Sequence, residues 1–157
     1  VGISSDGILV YGYDLGDEPE NGYQDTPEWL KKAEEESEFE NFAESAEIYL
    51  LAQSGFTDTD WESEGYWERK RAAEEQMGVE ILYHCAYEYP MFIITVKDKR
   101  AQFRAYRGQP ISLGIDQLNI PSFVKEEWDA KLKWASDLLG FKTTNERPTW
   151  ILTSILG

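Results

Sequence analysis

His84 and Cys85 stand side by side, and a thiol beside an imidazole is the usual start of nucleophilic catalysis. In a regular strand, adjacent side chains point to opposite faces, so these two are not expected to reach one another. The chain has one His and one Cys, so neither an internal disulfide nor a His- or Cys-rich metal site can form within it. The expectation is therefore no catalytic residue, no metal and no cofactor, with Cys85 an inert buried strand residue.

Carboxylates are the other chemically capable groups, and there are 30 of them. Asp60, Glu62, Glu64, Gly65 and Glu68 fall near positions 1, 3, 5, 6 and 9 of a calcium-binding EF-hand loop. Position 12 would be Arg71 where a bidentate Glu is needed, and Gly55 ends the preceding helix too early. A glycosidase pair cannot be singled out, because any protein this acidic offers many carboxylate pairs at suitable spacing. The chain has no P-loop, dinucleotide fingerprint or serine nucleophile elbow.

A different use of carboxylates follows from their spacing. Glu36, Glu40, Glu44 and Glu47 recur at four, four and three residues, which puts at least the last three on one helix face. Asp58, Asp60, Glu62, Glu64 and Glu68 extend the row at the next helix start. Such a row can present a phosphate-like ladder to a basic nucleic-acid-binding groove. The alternative is a solvated face whose acids only favour helix N-termini and solubility.

Several elements must hold these residues. Ile8–Tyr13 reads as a strand, with Asp6-Gly7 as a turn before it. Residues 16–25 read as an acidic loop. Thr26 and Pro27 open a first helix carrying Trp29, Leu30 and Ala33. A break near Glu36–Glu38 separates it from a second helix, starting at the Ser37/Glu40 capping box and ending at Gly55. Thr59 and Glu62 repeat the box spacing and open a third helix reaching Met77, with Gly78 as its stop. Strands follow at Val79–Tyr87, Pro90–Val96 and Gln102–Arg107, the last two joined by a tight turn at residues 97–100. Pro121 and Ser122 introduce a helix with Phe123, Val124, Trp128, Leu132, Ala135, Leu138 and Leu139 on one face, closed by Gly140. Trp150–Leu156 reads as an apolar strand inside the sheet.

This order predicts a single α+β domain over 1–157, with a mixed or antiparallel sheet of about four to five strands. Three helices precede most of the sheet and one follows it. The acidic helical half, 1–78, contrasts with the strand-rich half, 79–157. Residues 1–80 hold 22 Asp/Glu against 5 Lys/Arg, whereas 81–157 hold 8 against 10. A net charge of −15 opposes direct binding to nucleic acid or an anionic membrane. The cations Lys97, Lys99, Arg100, Arg104 and Arg107 are expected to be salt-bridged or solvated, and the dipolar layout also allows a homodimer. Six Trp, nine Tyr and seven Phe argue against global disorder. With no long apolar run and no basic-then-apolar start, the expected location is the cytoplasm.

Three stretches together, GISSDGILVYGYDLG, SGFTDTDWESEGYWERKRAAEEQMGVEI and ERPTWILTSILG, resemble small acidic proteins of actinobacteria and their bacteriophages. The resemblance carries no activity and no site residues; it implies a phage-encoded accessory protein, acting in the host cytoplasm. Joined to the acidic row, it leads to the expectation of a non-enzymatic inhibitor of a host defence complex, of anti-CRISPR or anti-restriction type. Its partner would be a host protein with a basic nucleic-acid-binding groove. The alternative is a small intracellular regulatory or structural interaction protein whose acidity serves solubility only. A third reading is an enzyme or small-ligand binder using Trp61, Tyr66 and Trp67.

Overall fold

The computed structural model describes residues 5–17, 26–35 and 41–156. Their elements are β1 (Ser5–Asp17), α1 (Glu28–Glu35), α2 (Phe42–Gln53), α3 (Tyr66–Met77), β2 (Val79–Ala86) and β3 (Tyr89–Val96). β4 (Gln102–Ala105), α4 (Ile115–Leu118), α5 (Ser122–Leu139) and β5 (Thr149–Leu156) follow. The class is α+β, with helices packed on a five-stranded mixed sheet in the order β3-β2-β5-β1-β4. No helix among the described residues is long and apolar enough to cross a membrane.

The long strand β1 organises the sheet. One edge pairs antiparallel with β5 from Ser5 to Gly12. The other edge pairs with β4 from Gly7 to Val10, then with β3 from Gly12 to Asp17. Between β3 and β4 the chain makes a 3₁₀ turn, Lys99–Ala101, capped by the Asp98 side chain on Arg100 N–H. Gly12 sits where β1 passes from β4 to β3, and an added Cβ there would lie 2.0 Å from the Ile94 carbonyl oxygen. A bulge between Asp14 and Gly16, with Gly16 at φ 75°, then bends the strand further. β3 pairs antiparallel along the whole of β2, and β2 touches β5 only through Cys85 and Ala86, in parallel. The pairings thus run in a ring, β1-β3-β2-β5, and the sheet is curled.

Alternation along the strands sorts the core into two layers. Tyr11, Tyr13, Val79, Ile81, Phe92, Ile94 and Val96 meet the helices, chiefly Phe42, Ala46 and Leu50 of α2 and Val124, Trp128, Leu132, Ala135 and Leu139 of α5. The opposite parity, Ile8, Val10, Ile93 and Ile155 with Leu82 and Ile151, packs inside the curl. Tyr11 hydroxyl donates to Asp129 Oδ1 at 2.6 Å, and Trp29 Nε1 donates to Leu139 O at 2.9 Å, fastening α5 to the sheet and α1 to α5.

Several boundaries differ from expectation. Asp6 and Gly7 lie inside β1 because β4 and β5 pair with both edges there, and Asp6 accepts from Arg104 and Arg107 N–H instead of closing a turn. The second helix begins at Phe42. Asn41 is extended (φ −165°, ψ 162°), and its side chain caps Glu44 N–H, so the helix does not run through it from Ser37. Ser37, Glu36 and Glu40 lie outside the described residues, as does most of the expected 16–25 loop. The third helix begins at Tyr66, not Thr59, because Gly65 is left-handed (φ 75°) and the preceding residues are bound into a turn. It ends as expected at Gly78, also left-handed. Phe123 is 75% exposed and faces away from the core side of α5. β5 is indeed flanked by β2 and β1, yet Leu152 is 79% exposed, so the strand is not covered on both faces.

Candidate functional site

The acidic row is divided by the fold. In α2, Phe42, Ala46 and Leu50 recur every four residues and turn inward, which leaves Glu44 outward in the first turn. Glu47 is turned toward the sheet. Its Oε1 accepts the Ile81 N–H at 3.0 Å, so a helix carboxylate stands where a neighbouring strand would bond β2. Burial pushes its carboxyl above the ordinary range, with Glu80 and Glu74 adding to the rise; the Ile81 N–H and Lys97 oppose it. Glu47 is thus withdrawn from the surface on which it was expected. The reason is a strand N–H that needs an acceptor.

The 58–68 stretch behaves differently. Arg69, on the first turn of α3, donates to Asp58 Oδ2 through Nη2 (2.6 Å) and Nε (3.2 Å). The same guanidinium donates to Ser63 Oγ at 2.9 Å and to Glu64 O at 2.8 Å. Asp58 Oδ1 accepts from Asp60 N–H at 3.0 Å, and Ser63 Oγ donates to Asp60 O at 2.7 Å. One cation therefore folds the segment back onto its own helix and holds the Asp58 carboxyl below the usual carboxylate range. Asp58 is a scaffold group rather than part of a contact row.

What this scaffold displays is outward. Asp60, Glu62, Glu64 and Glu68 are exposed, and among the described residues no ion pair engages them. Trp61 and Trp67 are 62% and 58% exposed beside them. The Tyr66 ring packs edge-on to Trp67 at 5.1 Å and on Phe56 at 6.0 Å, and Lys70 lies 5.7 Å from the Trp67 ring centroid. Phe56 packs against the main core, so the aromatic end of the ledge is anchored. Arg69 is the residue that sequence reading missed. Its link to Asp58 spans 11 positions and has no periodic signature.

The chemically suggestive pair reads differently too. His84 is buried, its Nδ1 is 2.7 Å from Thr153 Oγ1, and its Nε2 has no hydrogen-bond partner. Burial pushes its pKa down, with Asp14 opposing. Cys85 is half-buried, and its φ of 72° takes it out of regular strand geometry, so simple alternation does not apply there. Among the described residues, no three His, Cys, Asp or Glu side chains converge as a metal-ligand set. The basic stretch is largely ion-paired: Arg100 with Asp98 (2.6 Å), Arg104 with Asp6 (2.7 Å) and Lys97 with Glu74 (3.7 Å). No protein-family model, curated protein or solved structure matches the chain.

Proposed function

We propose that this protein is a non-catalytic binder whose contact surface is the acidic–aromatic ledge Asp60–Glu68, and that its partner carries a Lys/Arg-lined groove built for nucleic acid. The observation that supports this reading is the pairing of four exposed carboxylates with two exposed tryptophans on a segment stapled by Arg69. Carboxylates supply attraction to a cationic groove and fast, salt-sensitive association. Exposed Trp supplies the large contact area typical of binding hot spots. A surface acidic for solubility alone has no use for two exposed indoles.

The biological setting that accords with this chemistry is a phage accessory protein that blocks a host defence complex by occupying its nucleic-acid groove. The competing reading, acidity for solubility only, draws on Glu47 and Asp58, whose carboxylates serve the fold. The experiment is competition. Immobilised protein is exposed to host lysate at low salt and eluted with a short DNA duplex. The proposal expects DNA to release retained proteins, and expects Trp61→Ser with Trp67→Ser to retain little. Retention indifferent to DNA and to both tryptophans would overturn it.

A further inference from the structure

The curl closes on very little. β2 and β5 pair only at Cys85–Ile155 and Ala86–Leu156, whereas β2 keeps β3 along its whole length and β5 keeps β1 from Thr149 to Leu156. Cys85 enters that closure with φ 72°, a left-handed backbone that strains any residue with a side chain. The residue before it is His84, 8% exposed, with Nδ1 2.7 Å from Thr153 Oγ1 of β5 and no partner at Nε2. Its surroundings follow the strand period. Leu82 precedes it on the same face, Met91 lies opposite on β3, and Thr153 stands between Ile151 and Ile155. That is the inner, apolar layer, which borders a cavity of about 450 Å³ at Ile8, Leu82 and Ile155.

We propose that His84 is an acid-operated latch: protonation of its ring breaks the two-pair β2–β5 closure and opens the inner layer to water. The neutral ring needs one partner to hold β5, and Thr153 supplies it. The protonated ring carries a charge and two N–H groups, and its Nε2–H meets no acceptor there. Around it, Met91 of β3 and Thr153 of β5 are uncharged, and Asp14 of β1 is the facing charge. Asp14 favours the cation, but its carboxylate already accepts from Gly16 N–H and the Thr144 hydroxyl. Farther along the layer, Asp6 of β1 is paired with Arg104 of β4, and Glu80 of β2 accepts from Gln102. Burial outweighs Asp14 and holds the ring below its ordinary pKa of 6.5. The contribution of neutral His84 is therefore complete above 6.5 and is lost as pH falls through the lower folded value. Opening is local, because the β1–β5 and β2–β3 ladders depend on neither pair of the closure.

The test follows two signals in the intact chain between about pH 7.5 and about pH 5: the His84 ring resonances by NMR, and amide hydrogen exchange corrected for its intrinsic pH dependence. Protection at residues 84–86 and 153–156 is expected to fall about tenfold across the His84 titration, while residues 93–96 of β3 keep theirs. His84→Leu should remove this pH response. Glu47 bonds Ile81 N–H on the same strand but titrates in the opposite sense, so Glu47→Gln should leave the response in place. A His84→Leu chain that fails to fold leaves the test intact, since the two wild-type signals must still share one midpoint. A His84 midpoint at or above its ordinary value would overturn the proposal. So would protection at the closure that ignores pH, or an equal response in His84→Leu. Loss of protection at residues 93–96 with the same midpoint would also overturn it, by showing whole-domain acid unfolding in place of a latch.

Discussion

Two acidic stretches of similar length use their carboxylates in opposite ways. In α2, Glu47 reaches inward and bonds the edge of β2, leaving Glu44 as the outward acid of that helix. In the 58–68 segment, one carboxylate, Asp58, is held by Arg69, and the other four face outward around two tryptophans. Counting acids along a sequence therefore overstates an acidic surface. The carboxylates to discount are those that meet an orphan strand N–H or a cation on a neighbouring turn.

Both stretches hang on one core, and its disruption should affect them together. Leu132 is fully buried among the residues that also hold Leu50. Leu132→Ala should cost about 2–5 kcal/mol, read by chemical denaturation. An unchanged midpoint would show that α5 does not support the sheet.

Within α2 the contrast is sharper. Glu47→Ala leaves the Ile81 N–H without its acceptor and should cost about 1–3 kcal/mol. Glu44→Ala, at an exposed position, should stay within about 0.5 kcal/mol once the cap at Asn41 is intact. Equal effects would erase the distinction between the two glutamates.

Acidity should separate Glu47 and Asp58 by sign. The folded pKa of Glu47 lies above its ordinary value of 4.5, so the folded state holds the extra proton. Its contribution therefore falls as pH rises from about 4.5 through the raised folded value, and is constant outside that window. Asp58 has a folded pKa below its ordinary value of 3.8, so its contribution is present above that value and is lost as pH falls through the folded one. Carboxyl ¹³C titration by NMR should place Glu47 above and Asp58 below their ordinary values. Glu47→Gln should remove the falling limb.

The smallest global effect is expected from Arg69→Gln. Its ion pair with Asp58 is largely exposed and adds little to overall stability. Hydrogen exchange across 58–66 should nonetheless accelerate, because the cation ties Asp58, Ser63 and Glu64 to α3. A large loss of melting temperature with no local change would contradict this division.

Much of the architecture was legible in local pattern. The α5 stripe, the left-handed stops at Gly78 and Gly140, and the β-branched runs of β2 and β3 all depend on near neighbours. What escaped depends on distant ones. Gly7 is a strand residue because two other strands reach it, from as far as Ser154. The start of α2 at Phe42 is set by the Asn41 side chain capping Glu44 N–H, a bond that residue spacing alone does not rank. The acidic row was half visible: helical period brought Glu44 and Glu47 together, but Ile81, 34 residues on, decided which way Glu47 turns.

The most direct test of the ledge is a paired comparison on the immobilised protein. Glu62→Gln, Glu64→Gln and Glu68→Gln together remove three charges from the display without touching Arg69 or Asp58; Glu44→Gln removes one from α2. The measured quantity is the amount of host protein retained at low salt and released by duplex DNA. The account predicts a steep loss for the triple variant and no change for Glu44→Gln. Undiminished DNA-releasable retention by the triple variant would contradict it.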